Sequence, residues 1–477
     1  MEIKYALKKW VLVKLVIVVA LLWPAGLASA QQTQVSGPVY IVQSGDSLWD
    51  IAQRFHVSLA DLQQANGITN PNQLSAGAQL VIPGLEGIQG VLVTTEVPFG
   101  ESLRSLSRRY QVPEAALEKL NHLSSPSEIF AGYTLVLPET DKPDLAGGRA
   151  VLSPGESLLE LAVQKNANPW NIAATNNLSG TVSAMPGDAL FVPGDAAEGP
   201  GALPGEITAV QIDPLPLLQG KAFTLKLATN VNLSLSGKLG AYPLHFFPDG
   251  SHGYVALQGI HALAEPGLYP LQLQGSLPGG TPFTFSQLVP VYQVDYPYDT
   301  PLTVDPSTID PAVTQPEDQQ WAALTATATP ERMWQGVFRI PSPLDQKYCL
   351  ETNDCWSSRF GNRRSYNGSP YKYFHSGLDI VGTTGTEIYA PAAGIVVFAG
   401  PLTVRGNATV IDHGWGVYTA YLHQSEFKVK VGDRVQAGQL IGLVGGTGRV
   451  EGPHLHWEVI VGGVQVDPLD WLKRAFP

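Results

Sequence analysis

Histidine is concentrated where this chain of 477 residues could use it for chemistry. Five of its ten histidines fall between His375 and His456, in the contexts His375-Ser-Gly-Leu-Asp379, Ile411-Asp412-His413-Gly414, Tyr421-Leu-His423 and His454-Leu-His456-Trp-Glu458. Side chains two apart in an extended strand share a face, so His454 and His456 project together, with Leu455 and Trp457 on the other side. His375 and Asp379 need only approach that face to complete a site of two imidazoles and one carboxylate. Such a set suits zinc, a borderline-soft ion that takes nitrogen and oxygen donors tetrahedrally and keeps a fourth position for water. A hydrolase also needs a base near neutral pH and a group for the oxyanion or the leaving amine, for which His423 and His454 are the candidates. His413, beside a glycine at a strand end, reads as structural. Glu458 shares the histidine face and reads equally as a hydrogen-bond partner of the site or as a surface ion pair.

Other features carry less chemistry. Arg363 and Arg364 read as a solvated turn. The Gly-rich stretch 442–448 lacks a nucleotide-binding pattern and reads as a loop near the groove. No G-x-S-x-G is present, so a serine hydrolase has no support. Cys349 and Cys355, the two cysteines, are six positions apart and are expected to form a local disulfide.

The elements that must position these groups belong to a long, turn-rich chain. It holds 49 glycines, 38 prolines and 15% charged residues, with a net charge of −12. The charge excludes an electrostatic reason to bind nucleic acid. The absence of an 18-residue apolar run beyond residue 30 excludes a polytopic membrane protein. Residues 1–30 read as a signal peptide: Lys4, Lys8 and Lys9, an apolar stretch interrupted at Lys14, then Ala28-Ser29-Ala30. The mature chain is expected to be exported to the cell wall, periplasm or medium, without membrane insertion, as a monomer.

A repeat follows. Gly45-Asp46-Ser47-Leu48 recurs as Gly100-Glu101-Ser102-Leu103 and Gly155-Glu156-Ser157-Leu158, a step of 55 each time. Asn66, Asn121 and Asn176 keep the same step, as do Gly77, Gly132 and Gly187, and Pro83, Pro138 and Pro193. Four markers on one period define three copies of a small α+β module, each strand, helix, helix, strand, over residues 38–84, 91–139 and 149–194. A Gly-, Ala- and Pro-rich linker at 195–203 leads to residues 204–296. There Phe223, Leu225 and Leu227 alternate with Thr224 and Lys226, and the period-two pattern predicts an all-β, immunoglobulin-like sandwich acting as a spacer. Residues 297–339 read as a partly ordered linker with one short helix near 317–325, and 340–477 as the chemical domain.

The first module resembles the LysM family, which implies binding to N-acetylglucosamine-containing glycans such as peptidoglycan. The resemblance points to a groove between the Gly45–Asp46–Ser47 turn and the loop opened by Asn66 and Gly67. Copies two and three keep the frame but replace Trp49 and Asp50 by Arg104 and Ser105, then by Leu159 and Glu160, and stand as binders or as spacers. Residues 340–472 resemble the lysostaphin-type (LytM-like) metallopeptidases, through Gly377-Leu378-Asp379, Ala390-Pro391-Ala392-Ala393-Gly394, Asp412-His413-Gly414, Val431-Gly432-Asp433 and Gly452-Pro453-His454-Leu455-His456-Trp457-Glu458. That likeness implies a mainly antiparallel β-domain with a narrow groove, zinc on His375, Asp379 and His456, and His423 and His454 as catalytic groups. The function implied is a zinc endopeptidase for the peptide cross-links of peptidoglycan. The rival, a catalytically silent wall-binding activator of a separate amidase, is opposed by the intact His/Asp set.

Overall fold

A computed structural model describes residues 37–85, 87–139, 148–192 and 199–477. The signal-peptide reading, Pro193 and residues 195–198 of the first linker lie outside these residues. None of the described helices is long and apolar enough to cross a membrane. The chain forms two compact units, one ending at Leu92 and the other spanning Val93–Pro477.

The first unit shows how the repeat folds. Val39–Ile41 pairs antiparallel with Gln79–Val81, and the helices Leu48–Arg54 and Leu59–Asn66 lie between them in sequence. Ser47 caps the first helix by accepting from Asp50 N, and Asp50 returns the bond to Ser47 N. Leu48, Ile51, Ala52 and Phe55 are buried, as their helical spacing requires. The repeated asparagine is a brace: Asn66 Nδ2 donates to Leu62 O and Val81 O, and its Oδ1 accepts from Val81 N. Asn121 and Asn176 make the same three bonds in their own copies. The repeated glycines are explained by backbone: Gly45, Gly100 and Gly155 have φ of 94°, 100° and 83°, a region closed to most side chains.

In the second unit, module two is built into its neighbours. Phe99 and Ala131 belong to the core of the following β-domain, and Gly100 N donates to Gln287 Oε1. Module three packs on module two through Arg108, which donates to Ala189 O, and through the Arg104–Asp188 ion pair.

Residues 207–292 form two facing sheets. One runs in the order Tyr242–Leu244, Ser234–Leu239, Gly267–Ser276, Pro282–Tyr292, Leu217–Leu218; the other runs Phe247–Pro248, Gly253–Gly259, Ala222–Thr229, Ile207–Asp213. Phe223, Leu225, Leu227, Leu271 and Leu273 fill the space between them. The outer face of the second sheet is solvated only in part, at Ala209, Gln211 and Asp213 of its edge strand. Ala222, Phe247, Val255 and Leu257 belong instead to the core of the C-terminal domain, Phe247 stacks on Trp415 at 5.3 Å, and Lys221 pairs with Asp467 and Asp470. The expected spacer is therefore fused to the domain it was read as separating.

The expected linker 297–339 is corrected in the same way. Its helix runs Pro311–Thr325, capped by Asp310, and passes through Pro316. Pro316 and Ala312, whose carbonyl it leaves unbonded, are both exposed, so the helix tolerates the proline. Glu317, Trp321 and Thr325, four apart, form a buried face against the C-terminal domain. Trp334, Phe338 and Ile340 lie in that domain's core, so the domain begins well before residue 340.

The C-terminal sheet runs Trp356–Ser358, Leu378–Val381, His454–Val461, Val417–Phe427, Asn407–Gly414, Gly394–Pro401, Arg434–Val435. Leu455, Trp457, Val459 and Val461 fill its core on the face opposite His454 and His456. His413 is fully buried between Ala393 O and Thr419 Oγ1, at 2.7 and 2.8 Å, and burial pushes its pKa down to about 4. A histidine held neutral in the fold but free to protonate when unfolded withdraws stability as pH falls below about 6.5, at about 1.4 kcal/mol per pH unit. The C-terminal domain of His413→Gln should show a shallower loss of thermal midpoint between pH 6.5 and 4.5 than the parent, although it starts lower at pH 7.

Candidate active site

The strand order alone brings the site together. Leu378–Val381 and His454–Val461 are antiparallel neighbours in a register that sets Asp379 directly opposite His456. Val417–Phe427 flanks the other side, with Leu422 opposite His456 and His423 next along. His375 enters from the turn before Asp379. A Cβ on Gly377 would stand 2.5 Å from Trp457 O and 2.8 Å from His456 Nε2, so only glycine lets this turn close on the strand.

Three donor atoms converge. His375 Nε2 lies 2.9 Å from Asp379 Oδ1 and 2.9 Å from His456 Nδ1, and His456 Nδ1 lies 2.8 Å from Asp379 Oδ1. The outer atoms of each group decide what the inner ones carry. His375 Nδ1 donates to Arg359 O at 2.8 Å, which leaves a lone pair on Nε2. His456 Nε2 faces Glu458 Oε1 at 3.3 Å, which leaves a lone pair on Nδ1. Asp379 Oδ2 faces Arg364 Nη2 at 3.3 Å, and Oδ1 faces inward. Three lone pairs at such distances repel unless a positive charge sits among them, so this set fits a metal ion.

The electrostatics agree. Burial would raise the Asp379 carboxyl, but His375 and His456 hold it well below the carboxylate range. Burial pushes His375 down to about 4. His456 shifts up against its burial because Asp379 and Glu458 both favour positive charge there. Glu458, also buried, is held down by His456 and Arg405.

His423 and His454 stand beside this cluster, their rings 5.2 Å apart. Each offers Nδ1 to a carbonyl, His423 to Thr447 O and His454 to Gly452 O, both at 2.8 Å, so each turns an unprotonated Nε2 elsewhere. His454 Nε2 is 3.5 Å from Asp379 Oδ1. His423 is buried in a left-handed backbone conformation, φ 62°, and burial pushes its pKa down to about 3. All five histidine and aspartate candidates line one cleft of about 580 Å³, with walls that include Arg364, Arg405 and Arg449.

Some of the groups that support the site come from far along the chain, and others sit deeper than a surface reading allows. Glu458 is buried, accepting from Ser376 Oγ at 2.6 Å and Trp321 Nε1 at 3.2 Å, so it supports His456 rather than forming a surface pair. Trp321 comes from the helix read as linker. Glu317 on that helix accepts from the backbone of Val404 and Arg405, at 2.9 and 3.0 Å, and pairs with the Arg405 side chain. Arg364 corrects the solvated-turn reading: it points inward, between Asp299 and Asp379. Arg363 donates to Tyr371 O. Glu458 was within reach of the period-two pattern; Trp321 lies 137 residues from it.

Of the other candidates, the Cys349 and Cys355 sulfurs form a disulfide in the core near the start of the C-terminal domain. In module one, Asp46 accepts from Tyr40 OH, Gln43 N and Arg54, Ser47 caps its helix, and Asn66 braces the strand. Those three groups are spent on the fold. Gly67 is the left-handed C-cap of its helix, and Gly45 and Trp49 are exposed, the tryptophan by 60%.

Comparison with known proteins places these parts. Residues 373–468 match peptidase family M23, and residues 40–83 and 96–138 match the LysM domain. Peptidoglycan DD-endopeptidase ShyA of Vibrio cholerae serotype O1 is 41% identical over 132 residues, 28% of this chain and 30% of the relative. DD-carboxypeptidase/endopeptidase Mpg of Neisseria meningitidis serogroup B is 43% identical over 95 residues, 20% of this chain and 22% of its own. Glycyl-glycine endopeptidase ALE-1 of Staphylococcus capitis is 36% identical over 124 residues, 24% of this chain and 34% of its own. The chain thus spans about a third or less of these relatives' lengths.

If Glu458 orients His456, removing its charge weakens metal binding without removing a ligand. Glu458→Gln should lower divalent-metal affinity about 10- to 100-fold in chelator competition, Trp321→Phe should lower it less, and His375→Ala should abolish binding. Equal affinity in Glu458→Gln and the parent would remove Glu458 from the site.

Proposed function

We propose that this chain, which joins a peptidase family M23 domain to LysM domains, is a zinc-dependent endopeptidase acting on the peptide cross-links of peptidoglycan outside the cytoplasm. The observation that carries the reading is the buried convergence of His375 Nε2, Asp379 Oδ1 and His456 Nδ1, with two further imidazoles beside it. These three residues would hold the zinc. When bound, it supplies Lewis acidity that lowers the pKa of water and polarises a carbonyl.

The protein's own groups divide the remaining work. His454 keeps 19% of its side chain exposed at the cleft, so its Nε2 can take a proton from water and exchange it with solvent or the leaving amine. His423, held neutral by burial, offers its Nε2 as a fixed acceptor that orients the reacting groups. Arg364 holds Asp379 from behind, and the Pro311–Thr325 helix holds Glu458, so the cleft is pre-shaped rather than assembled on binding.

Wall attachment is read onto module one. Its exposed Trp49 offers a flat apolar face to a sugar ring, beside the open Gly45 turn. Module two is read as a structural member, because its corresponding turn is filled by its own chain: a Cβ on Gly100 would stand 2.4 Å from Pro200, and Gly201 N donates to the buried Glu101. The Gly155 turn of module three has no described atom within 4 Å of its Cβ position. The sandwich is read as immunoglobulin-like from its two facing sheets and the short strand Leu217–Leu218 running parallel to Pro282–Tyr292 at one edge. Attachment raises the enzyme's effective concentration at an insoluble substrate.

Digestion of purified peptidoglycan by the full chain, resolved by mass, should yield cross-link-cleaved muropeptides that disappear with a chelator. His454→Ala should slow their release by about 10² or more. Absence of products from folded, zinc-loaded protein would sink the endopeptidase reading. In sedimentation with insoluble peptidoglycan, Trp49→Ala should bind about two- to tenfold more weakly.

A further inference from the structure

Three guanidinium groups line the catalytic cleft, and two of them are neutralised by the protein. Arg364 lies between Asp299 and Asp379, at 3.3 Å from each. Arg405 lies between Glu317 and Asp318, at 2.9 Å from each. Arg449 differs. Among the described residues no carboxylate comes within ion-pair distance of it. Its one side-chain hydrogen bond is from Nη1 to Thr308 O, at 3.2 Å, and its guanidinium carbon sits 4.3 Å from the centre of the Tyr366 ring. An arginine has five N–H donors, so four of them meet no protein acceptor here. The stack and the single bond hold the planar fork in one orientation while leaving it half-buried in a cleft otherwise rich in carboxylates.

The position is tied to the chemistry. Arg449 N donates to Val404 O at 2.8 Å, and two residues earlier Thr447 O receives the Nδ1 proton of His423. The same short loop therefore orients a catalytic imidazole and presents an unpaired cation. An oriented guanidinium without a counter-charge is suited to a carboxylate, which it can bind with two parallel hydrogen bonds. A substrate peptide offers such a group at its C-terminus and at any acidic side chain, all ionised near neutral pH.

We propose that Arg449 binds a free carboxylate of the substrate peptide and so selects anionic over amidated peptides. The inference rests on the endopeptidase reading and narrows its substrate class. Hydrogen bonds to charged groups set the expected size of the effect, about ten- to a hundredfold.

The test uses the full chain and synthetic cross-linked peptide dimers in which each free carboxylate is amidated in turn. Cleavage rates and calorimetric Kd are measured for the parent, Arg449→Gln and Arg449→Lys. In the parent, one amidation should lower kcat/KM about ten- to a hundredfold, mainly through KM, and should weaken Kd alike. In Arg449→Gln the free-to-amidated ratio should fall to about one. Arg449→Lys, which keeps the charge but not the fork, should fall between. A parent-like ratio in Arg449→Gln, or no discrimination by the parent at any carboxylate, would overturn the proposal. If the parent cleaves none of the dimers, the endopeptidase reading fails, and the Kd ratios still decide the role of Arg449.

Discussion

Everything around the cleft is arranged to hold three lone pairs closer together than they would stay alone. His375 Nε2, Asp379 Oδ1 and His456 Nδ1 lie within 2.9 Å of one another in a buried site. Mutual repulsion at that distance in a low-dielectric interior has to be offset by a cation within and by restraint from without. The restraint is visible. Arg359 O fixes one imidazole, Glu458 the other, and Arg364 the carboxylate. Each of these is held in turn, Glu458 by Trp321 and Ser376, Arg364 by Asp299.

The chain that supplies those outer holds comes from beyond the matched peptidase segment. Asp299 and Trp321 precede residue 373, where the family match begins. The helix Pro311–Thr325 contributes a cleft wall and closes it with buried charge: Glu317 takes two backbone N–H groups and a guanidinium, while Arg405 also stacks over Trp321 at 4.6 Å. Breaking such a buried set leaves an uncompensated charge, so the helix is not a detachable tether. The β-sandwich is also bound, since Ala222, Phe247, Val255 and Leu257 of one of its sheets are buried in the core of the C-terminal domain.

The three repeats show one frame put to different uses. The cap, the brace and the left-handed glycines recur in each copy because they satisfy backbone groups that any such module must satisfy. What differs is the surface beside the turn. Module one presents Trp49 and an open glycine, whereas module two turns the same edge into an intramolecular joint through Gly100, Glu101 and Phe99.

The local patterns could be read without a structure because they are short-range. The helical spacing of Leu48, Ile51 and Phe55, the alternation of His454 and His456, and the grouping of His375 with Asp379 each depend on residues a few positions apart, and the repeat shows as one short motif returning at a fixed step of 55. Backbone geometry turns such spacings directly into shared faces. The markers themselves are less transparent: Asn66 braces a strand rather than facing a ligand, because a repeated spacing does not say which way an amide points. What remained hidden was decided by pairing across long stretches of chain. Proline and threonine richness made 297–339 read as a linker, yet burial of Trp321, Trp334 and Phe338 outweighed that composition. No periodicity announces that Trp321 will meet Glu458, that Asp299 will hold Arg364, or that Arg449 will be left without a carboxylate. Those outcomes follow from strand order and packing, which bring together groups that no local spacing relates.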